Sequence, residues 1–328
     1  MRRRRRFLAL FIGLPLATCL VWFAVVRVAS PWNRVRIHAD ESAAAHAESS
    51  EAASDSALAL RIAAYNIAHG RGAGDDNWKG GSAEERASRL ERIAMFLKDA
   101  DLDLVVLNEV DFDAAWSGGV NQAEAIARAA KFSYRVEQRN IDLALPVFSL
   151  RFGNAVLSRY PIVEARAIDF PAYAAWETAL AGKKRGLACT IRLDDARELR
   201  LIAVHLDDRS ESVRLAAAEM IRAEKASTTL PVIVAGDFNS APPGFPLAQP
   251  DADGRTALGN LVGEAGFHTL PSEPPEAAGL TFPSTAPDRV LDWVLAAPPA
   301  RLVSREVYPI EESDHRPVIG VVRLPAGE

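Results

Sequence analysis

The feature that most constrains the fold is a series of short apolar runs that recurs from Leu58 almost to the end of the chain. The runs are rich in leucine or in β-branched residues and are bounded by turn residues, which is typical of strands in a buried sheet. We predict strands at Leu60–Ile67, Leu102–Val110, Gly153–Leu157, Leu187–Leu193, Leu199–Leu206, Val232–Ala235, Val290–Leu295 and Val318–Val322.

Helical patterns lie between some of these strands. Ser82-Ala83-Glu84-Glu85 has the form of a capping box, and the apolar residues from Leu90 to Leu97 then give one helix an apolar stripe. Helices mixed with strands in this way imply a sheet core with helices outside it, an α/β (α+β) fold. Further helices are predicted at Gln122–Ala130, Glu211–Ala226 and Thr256–Ala265.

Polar side chains stand at the ends of several of these strands. Any one of them has an ordinary explanation, because Asn and Asp are common turn residues and a lone His is more often structural. Their repetition predicts that polar groups converge at one edge of the sheet core. The segments are Tyr65-Asn66-Ile67, Asn108-Glu109-Val110, Val204-His205-Leu206, Gly236-Asp237-Phe238-Asn239 and Ser313-Asp314-His315.

Together these segments resemble the endonuclease/exonuclease/phosphatase superfamily, which has the DNase I-like fold. The resemblance extends from about Leu60 to Leu324 and keeps the family's order. It implies a four-layer α/β/β/α sandwich, with metal-assisted hydrolysis at the edges of the two sheets. The other matching segments are the run from Gly153 to Ile162, Thr281-Phe282-Pro283 and Leu291-Asp292-Trp293.

The resemblance also implies a metal site. Glu109 matches the family's principal ligand for Mg²⁺ or Mn²⁺, with Asn66 beside it and Asp314 able to bind the ion directly or through water. The chemistry agrees, because Mg²⁺ prefers oxygen ligands and is usually held by one or two carboxylates and the substrate phosphate. We therefore expect a Mg²⁺ or Mn²⁺ cofactor.

Proton handling is implied for a second set of residues. Asp237 and His315 match the residues that activate or position the attacking water, and Asn239 would orient that water or a phosphate oxygen. Asp292 matches the carboxylate that hydrogen-bonds the histidine and fixes its tautomer. His205 would protonate the leaving group or stabilise the pentavalent centre.

Two further positions, Asn154 and Arg185, are candidates for contacts with the substrate phosphate. For Arg185 the alternative is a solvated turn, Lys183 to Arg185, before a strand. One departure from the family pattern is visible, because Asn108 stands where many members carry Gln before the metal-binding Glu. This change bears on the surroundings of the metal and leaves Glu109 itself in place.

The N-terminus differs from the rest of the chain. The apolar run from Phe7 to Val26 lies between Arg2–Arg6 and Arg27, and at about 1.5 Å per residue it can cross a hydrocarbon core of about 30 Å. The arginines precede it, so the positive-inside rule predicts a single-pass transmembrane helix over 7–28, with residues 1–6 cytoplasmic and the remainder periplasmic or otherwise extracytoplasmic. A cleaved signal peptide is the alternative, although no clean Ala-x-Ala site follows.

The segment 29–57 is predicted to be a linker rich in Ala, Ser and Glu, and 58–328 to be the endonuclease/exonuclease/phosphatase domain. Eight arginines lie at or before Arg36, and the remaining chain has 30 Lys and Arg against 43 Asp and Glu, a formal charge of −13. Such acidity gives no general attraction for a polyanion, so tight non-specific binding of duplex DNA is not expected.

The predicted function is divalent-metal-dependent hydrolysis of a phosphodiester or other phosphoester bond by in-line attack of water. The substrate is either a nucleic acid, as for a nuclease, or the headgroup of a phospholipid, sphingomyelin or inositol phosphate. The bilayer itself is an expected partner through the N-terminal helix, and no protein partner follows from the sequence. A non-catalytic binding module on the same fold is the alternative from another class.

Overall fold

The centre of the protein consists of two β-sheets, and helices cover their outer faces. The structure is a computed structural model that describes residues 13–22, 24, 35–40, 57–145, 148–176, 178 and 182–326. The helices of the domain are α1 Ala83–Asp99, α2 Gln122–Ala130, α3 Glu211–Ala226 and α4 Ala257–Gly263. The strands are β1 Val35–Ala39, β2 Leu58–Asn66, β3 Leu104–Ala114, β4 Tyr134–Leu145, β5 Phe148–Ser158, β6 Ile162–Asp169, β7 Arg185–Arg192, β8 Glu198–His205, β9 Val232–Asp237, β10 Asp292–Ala296, β11 Arg301–Val307 and β12 Val318–Leu324.

Each sheet contains one parallel pair of strands near its middle. The larger sheet has the order β1-β4-β5-β3-β2-β12-β11, and the smaller sheet has the order β10-β9-β8-β7-β6. Strands β2 and β3 are parallel, as are β8 and β9, and the other named pairs are antiparallel. Two parallel neighbouring strands end at the same edge of a sheet, so the loops that follow them begin side by side.

Three apolar layers hold the sandwich together. Buried side chains from both sheets, such as Ile62 and Cys189, fill the space between them. Helices α1 and α2 pack on the outside of the larger sheet, and α3 and α4 pack on the smaller sheet around Trp293. Each fully buried aliphatic side chain stabilises the fold by about 1.5–3 kcal/mol. The four-layer α/β/β/α sandwich is confirmed.

The predicted elements are confirmed with small shifts at their ends. All eight predicted strands exist, and the helices predicted at Gln122–Ala130 and Glu211–Ala226 have those bounds. The capping box is present, since Ser82 Oγ accepts from Glu85 N at 3.2 Å and Glu85 Oε2 accepts from Ser82 N at 2.7 Å. Strands β1, β4, β6 and β11 were not predicted. Three of them, β1, β6 and β11, are edge strands, whose exposed positions dilute the apolar pattern.

The N-terminal region differs in part from its prediction. Strand β1 lies inside the predicted linker 29–57 and pairs with β4, so this stretch contributes an edge strand to the larger sheet. Residues 13–22 are helical, but no helix formed by the described residues is long and apolar enough to cross a membrane. Residues 1–12, 23 and 25–34, which include the arginines at 2–6 and parts of the predicted transmembrane segment, and linker residues 41–56 lie outside the described residues.

Candidate active site

A polar centre lies where the carboxyl ends of the two parallel strand pairs meet. Asn66, at the end of β2, is in register with Asn108, where the parallel pairing with β3 stops, and His205 is in register with Asp237 at the end of β8 and β9. Asn66 links the two sheets, because its Nδ2 donates to Glu109 Oε1 at 3.2 Å and to Asp237 Oδ2 at 3.1 Å. The structure therefore brings predicted residues from both sheets into one group.

Glu109 is turned toward this centre by an irregularity in β3. The pairing of β3 with β5 shifts register between Leu107 and Val110, and Glu109 has a φ of 51°, in the left-handed region that residues other than glycine rarely adopt. Its side chain remains 23% exposed. Strained backbone of this kind is concentrated at functional sites. Regular strand pairing is interrupted here, and the carboxylate reaches the cleft.

One guanidinium joins Glu109 to Asp314. Arg71 Nη1 lies 3.0 Å from Glu109 Oε2, and Arg71 Nη2 lies 2.5 Å from Asp314 Oδ2. Burial alone would raise the pKa of Glu109, but the positive charges of His69 and Arg71 outweigh it and hold that pKa well below its usual value. Glu109 is therefore an ionised carboxylate over the whole physiological range of pH.

A buried histidine–aspartate pair supports Glu109 from the other side. His69 Nδ1 lies 2.6 Å from Asp111 Oδ1, and His69 Nε2 lies 3.5 Å from Glu109 Oε2. Burial alone would lower the pKa of His69, but Asp111 and then Glu109 outweigh it, so the pKa is raised. His69 also packs edge-on against Trp116 and Phe152. The imidazole is thereby fixed next to the carboxylate.

A second histidine–aspartate pair occupies the opposite part of the centre. His315 Nδ1 lies 2.9 Å from Asp292 Oδ2, and His315 Nε2 lies 3.8 Å from Asp237 Oδ2. Burial alone would lower the pKa of His315, but Asp292 and Asp237 outweigh it and raise the pKa to about 10. His315 therefore carries a proton at neutral pH, and Asp292 holds its ring in place.

Asp237 is nearly buried between these groups. Burial raises the pKa of Asp237 to about 7 against the opposing effect of His315. The preceding residue, Gly236, has a φ of +136°, and a Cβ there would come within 2.0 Å of the Val204 carbonyl oxygen on the neighbouring strand. Only glycine allows β8 and β9 to approach so closely at the point where Asp237 enters the site.

His205 and Asn239 complete the part of the site on the smaller sheet. His205 Nε2 lies 3.9 Å from Glu109 Oε1 and 3.8 Å from Asp237 Oδ2. Burial and the neighbouring Lys184 lower the pKa of His205 well below its usual value, so the ring is neutral. A neutral ring favours the stabilising role predicted for His205 over the acid role. Asn239 Nδ2 donates to the Leu206 carbonyl at 3.2 Å.

The oxygen atoms of Glu109 and Asp314 fit a hard divalent cation. The structure already draws both carboxylates onto one positive group, the Arg71 guanidinium. Asn66 is placed differently, because its amide oxygen accepts from the Ala68 N–H at 3.0 Å while its NH₂ group faces the carboxylates. In this arrangement Asn66 orients Glu109 and does not offer its oxygen to an ion.

A second group of possible ligands among the described residues consists of Asp237, Asp292 and His315, whose ligand atoms lie within 4.8 Å of one another. In that group Asp292 and His315 are bonded to each other, and all three side chains are buried. A cation there would have to displace an existing charge-assisted hydrogen bond. This group is therefore the less suitable of the two for a cation, and Glu109 and Asp314 are the residues that could hold one.

Two predicted contacts do not face the cleft. Asn154 is fully buried and bonds to Asn108 Nδ2, Gln138 Oε1 and the Arg185 carbonyl. Arg185 is 3% exposed, and its guanidinium binds Asp169 Oδ1 at 2.8 Å. Both side chains connect strands within the sandwich, so the structure gives neither of them a phosphate-binding position. Their burial was not visible in the local sequence pattern.

Four other residues contribute to the site without having been assigned a role in it from the sequence, and one of them is His69, which is described above. Arg71 and Asp111 contact the centre as described above, and Asn108 ties the sheets together beneath it. Asn108 Oδ1 accepts from the Asp237 N–H at 2.9 Å, while its Nδ2 donates to the Val204 carbonyl at 3.0 Å. The signal that could have found Asp111 is its position two residues after Glu109, on the same side of the strand.

The centre opens into a cavity of about 240 Å³. Its walls include Glu109, His69 and His205 from the centre, and also the positive side chains of Lys184 and Arg209. The Arg209 guanidinium lies over the ring of Trp176 at 5.2 Å. The cavity thus combines a carboxylate that can hold a cation with positive side chains that can contact an anion, which is the chemistry that a phosphoester requires.

A family model described as "Endonuclease/Exonuclease/phosphatase family" matches residues 63–315. The chain belongs to this endonuclease/exonuclease/phosphatase family. The family consists of phosphoesterases and nucleases, so the chain is a hydrolase of the phosphoesterase class. No curated protein sequence matches the chain significantly.

Solved structures support the fold of this family. An endonuclease/exonuclease/phosphatase from Beutenbergia cavernae DSM 12333 is similar with a TM-score of 0.60 and 20% identity, over 81% of this chain and 72% of that chain. A mannosyl-6-phosphatase from Bacteroides thetaiotaomicron VPI-5482 gives 0.58 and 15%, over 80% and 99%. A humanized D. rerio TDP2 gives 0.55 and 17%, over 80% and 98%. At such identities the likeness establishes the DNase I-like fold alone.

Proposed function

We propose that this member of the family is a divalent-metal-dependent phosphodiesterase that acts by in-line attack of water. The observation that carries the proposal is the position of Asp237, which lies 3.8 Å from both His205 and His315 and shares the Asn66 amide group with the carboxylate of Glu109. A group for proton transfer and a group for cation binding are therefore neighbours. Phosphoester hydrolysis needs both at one phosphorus atom.

Glu109 and Asp314 would hold the ion. When bound, Mg²⁺ or Mn²⁺ polarises a phosphoryl oxygen and offsets the negative charge that grows in the transition state. Asn66 keeps the Glu109 carboxylate oriented through its 3.2 Å hydrogen bond, and His69 supports the second oxygen. This division of roles separates binding of the ion from orientation of its ligand.

Asp237 is the best candidate for the group that takes the proton from the attacking water. Its pKa of about 7 lies near neutral pH, where a general base is most effective. His315 holds its proton at that pH, so its role is to stabilise negative charge on the phosphoryl oxygens. The sequence left the choice between these two residues open, and the raised pKa of His315 favours Asp237.

His205 and Asn239 would act on the oxygens of the reacting group. Neutral His205 can donate one hydrogen bond to the leaving oxygen or to a phosphoryl oxygen. Asn239 has a φ of 49°, and its backbone N–H donates to Asp237 Oδ1 at 2.9 Å, which fixes both residues at the end of β9. A water held between Asp237 and Asn239 would be positioned for attack.

The proposed substrate is a small phosphodiester or a lipid headgroup in preference to duplex DNA. The chain after Arg36 carries a formal charge of −13, which opposes a long polyanion. Single-stranded nucleic acid stays a second candidate, because Arg209 stacks on exposed Trp176 at the wall of the cavity, and aromatic side chains stack on bases. The mannosyl-6-phosphatase neighbour adds sugar phosphates to the candidate substrates.

A panel of substrates tests the proposal. The purified protein is assayed with Mg²⁺ or Mn²⁺, and then with EDTA, on bis-p-nitrophenyl phosphate, sphingomyelin, inositol phosphates, RNA and DNA. We expect hydrolysis of at least one diester that EDTA abolishes and that transfers one ¹⁸O atom from solvent into the product. A trapped phosphoenzyme contradicts in-line attack by water, and activity on no substrate favours the binding module.

The location of the protein is a separate proposal that rests on the arginine-flanked apolar run at 7–26 alone. We propose that this run anchors the protein in a bilayer and places the catalytic domain outside the cytoplasm. A reporter enzyme that is active only outside the cytoplasm, fused after Leu58, should be active in cells. A silent fusion beside an active fusion carrying an established export signal contradicts this orientation.

A further inference from the structure

Arg71 occupies the space between the two carboxylates that are proposed to hold the divalent cation. Its two terminal nitrogens bind different partners, Glu109 at 3.0 Å and Asp314 at 2.5 Å. Glu109 lies in β3, whereas Asp314 lies in the loop before β12. The guanidinium therefore also joins two segments that are distant along the chain. The three side chains are 11–23% exposed, which places the ion pairs in the wall of the cleft.

The loop around Arg71 presents this side chain without a regular element to hold it. Arg71 lies between Gly70 and Gly72, which have φ values of +66° and +82°. Its Nε donates to the Gly74 carbonyl at 2.6 Å, and its Nη1 also donates to Asn77 Oδ1 at 3.2 Å. The guanidinium therefore has neighbouring acceptors in its own loop, to which it can remain bonded if it leaves the carboxylates.

An arginine and a divalent cation cannot both use these carboxylate oxygens in the same way. A guanidinium donates hydrogen bonds to lone pairs that a metal ion would need for coordination. When only a fraction of the protein molecules has the conformation that can bind a ligand, the apparent affinity for that ligand is reduced in proportion to that fraction. The ion pairs of Arg71 are thus in direct competition with the ion.

We infer that Arg71 is an internal counter-ion that neutralises Glu109 and Asp314 in the metal-free protein and yields them when a divalent cation binds. The inference rests on the proposed function, and it adds a regulator of metal affinity to that function. The geometry supports it, because both carboxylates contact the same guanidinium. The inference also predicts that Arg71 weakens metal binding while it stabilises the metal-free fold.

The test measures Mn²⁺ binding without substrate, by titration calorimetry and by the electron paramagnetic resonance signal of free Mn²⁺. We compare the wild-type protein with Arg71→Gln, Arg71→Lys and Arg92→Gln. The last variant is a matched control, because it also removes one positive charge from an arginine that is paired with a carboxylate. Arg92 lies 2.6 Å from Glu312 and does not contact Glu109 or Asp314. Thermal unfolding of each protein is recorded with and without saturating Mn²⁺.

We expect Arg71→Gln to bind Mn²⁺ about tenfold more tightly than the wild type. Arg71→Lys should lie between the two, because a lysine keeps the charge but not the two-pronged geometry. Arg92→Gln should stay within about twofold of the wild type, since exposed charges are screened. Metal-free Arg71→Gln should unfold at a lower temperature than the wild type, and saturating Mn²⁺ should narrow that difference.

Two different results overturn the inference and are distinguishable from each other. Equal or weaker Mn²⁺ binding by Arg71→Gln, with the wild type still binding, removes the competition and leaves the proposed function intact. Absence of Mn²⁺ binding in every variant, including those that unfold cooperatively, removes the proposed metal site and the inference with it. If Arg71→Gln does not fold, the order of affinities of Arg71→Lys and the wild type decides in the same way.

Discussion

The two histidine–aspartate pairs of the site have the same construction but face different carboxylates. In each, a ring nitrogen binds an aspartate, at 2.6 Å for His69 and at 2.9 Å for His315, and the other nitrogen points to the centre. His69 points to Glu109, which is 23% exposed and is also bound by Arg71. His315 points to Asp237, which is only 2% exposed.

Because the two histidine–aspartate pairs are alike, the difference in chemistry arises from the other surroundings of the facing carboxylate. Glu109 has several positive neighbours, and its pKa is held well below the usual value, so it stays charged and suits a cation. Asp237 is buried, and its pKa is raised to about 7, so it can exchange a proton. The pair that contains His69 thus keeps Glu109 negatively charged, and the pair that contains His315 supports proton transfer at Asp237.

Replacement of the two histidines should separate these roles most strongly. We expect His315→Ala to lower kcat by about 100- to 10 000-fold, because the charge beside Asp237 and the phosphoryl group is lost. His69→Ala should change kcat less and weaken the apparent affinity for Mn²⁺ more. The measurement is initial rate against Mn²⁺ concentration for both variants. Equal losses of kcat with equal Mn²⁺ affinities contradict the comparison.

Asp292→Asn should have the next largest effect and should act through pH. Asp292 raises the pKa of His315, so its replacement lowers that pKa from about 10, and His315 then loses its proton at a lower pH. We expect a fall in kcat of about 10- to 100-fold and an alkaline limb of the rate profile that moves to lower pH. A profile of kcat between pH 6 and pH 11 measures both. An alkaline limb at the wild-type position would show that Asp292 does not act through His315.

Asp111→Asn is the matching change in the other pair. Asp111 fixes His69 beside Glu109, so we expect weaker Mn²⁺ binding, by about tenfold, and a smaller loss of kcat at saturating Mn²⁺. The position of the alkaline limb should not move, because Asp111 does not contact His315. Titration calorimetry gives the affinity, and a shift of the alkaline limb as large as that of Asp292→Asn would remove the distinction between the pairs.

Asn108 lies beneath the parts of the site that the two sheets contribute. Its replacement should change the stability of the fold more than metal binding or proton transfer. Asn108→Ala leaves the Asp237 N–H and the Val204 carbonyl without their buried partner, which costs about 1–3 kcal/mol of unfolding free energy. Ser82→Ala is a control that removes a helix cap far from the cleft and should cost about 1 kcal/mol. Urea unfolding measures both values. An Asn108→Ala protein as stable as the wild type contradicts the role of Asn108 in joining the sheets.

Sequence patterns predicted the central strands well because those strands are buried on both faces and read as continuous apolar runs. Strand β4 was missed for the opposite reason. It contains Glu137, Arg139 and Asp142, which are buried but bonded to one another, with Arg139 binding Asp142 at 2.9 Å and also pairing with Glu137. A buried ion network has the local composition of a surface strand, so only the folded chain reveals it.

The site was predictable where its residues occupy strand ends and less so where contacts join distant segments. Asp237 and His315 stand directly at the ends or starts of apolar runs, which marks them in the sequence. Arg71 was not predicted, because its partner Asp314 lies 243 residues away and its loop has no apolar pattern. Asn154 was interpreted as a phosphate contact because a sequence does not show which side of the sandwich a polar residue faces.

The most direct test of the central claim is the hydrolysis rate of one phosphodiester as free Mn²⁺ is raised and then removed with EDTA, for the wild-type protein and for Glu109→Ala. We predict that the wild-type rate saturates with Mn²⁺ and falls to background with EDTA, while Glu109→Ala loses this saturable response and still unfolds cooperatively. A wild-type rate that survives EDTA, or a Glu109→Ala curve that overlays the wild-type curve, would contradict a metal-dependent site at Glu109.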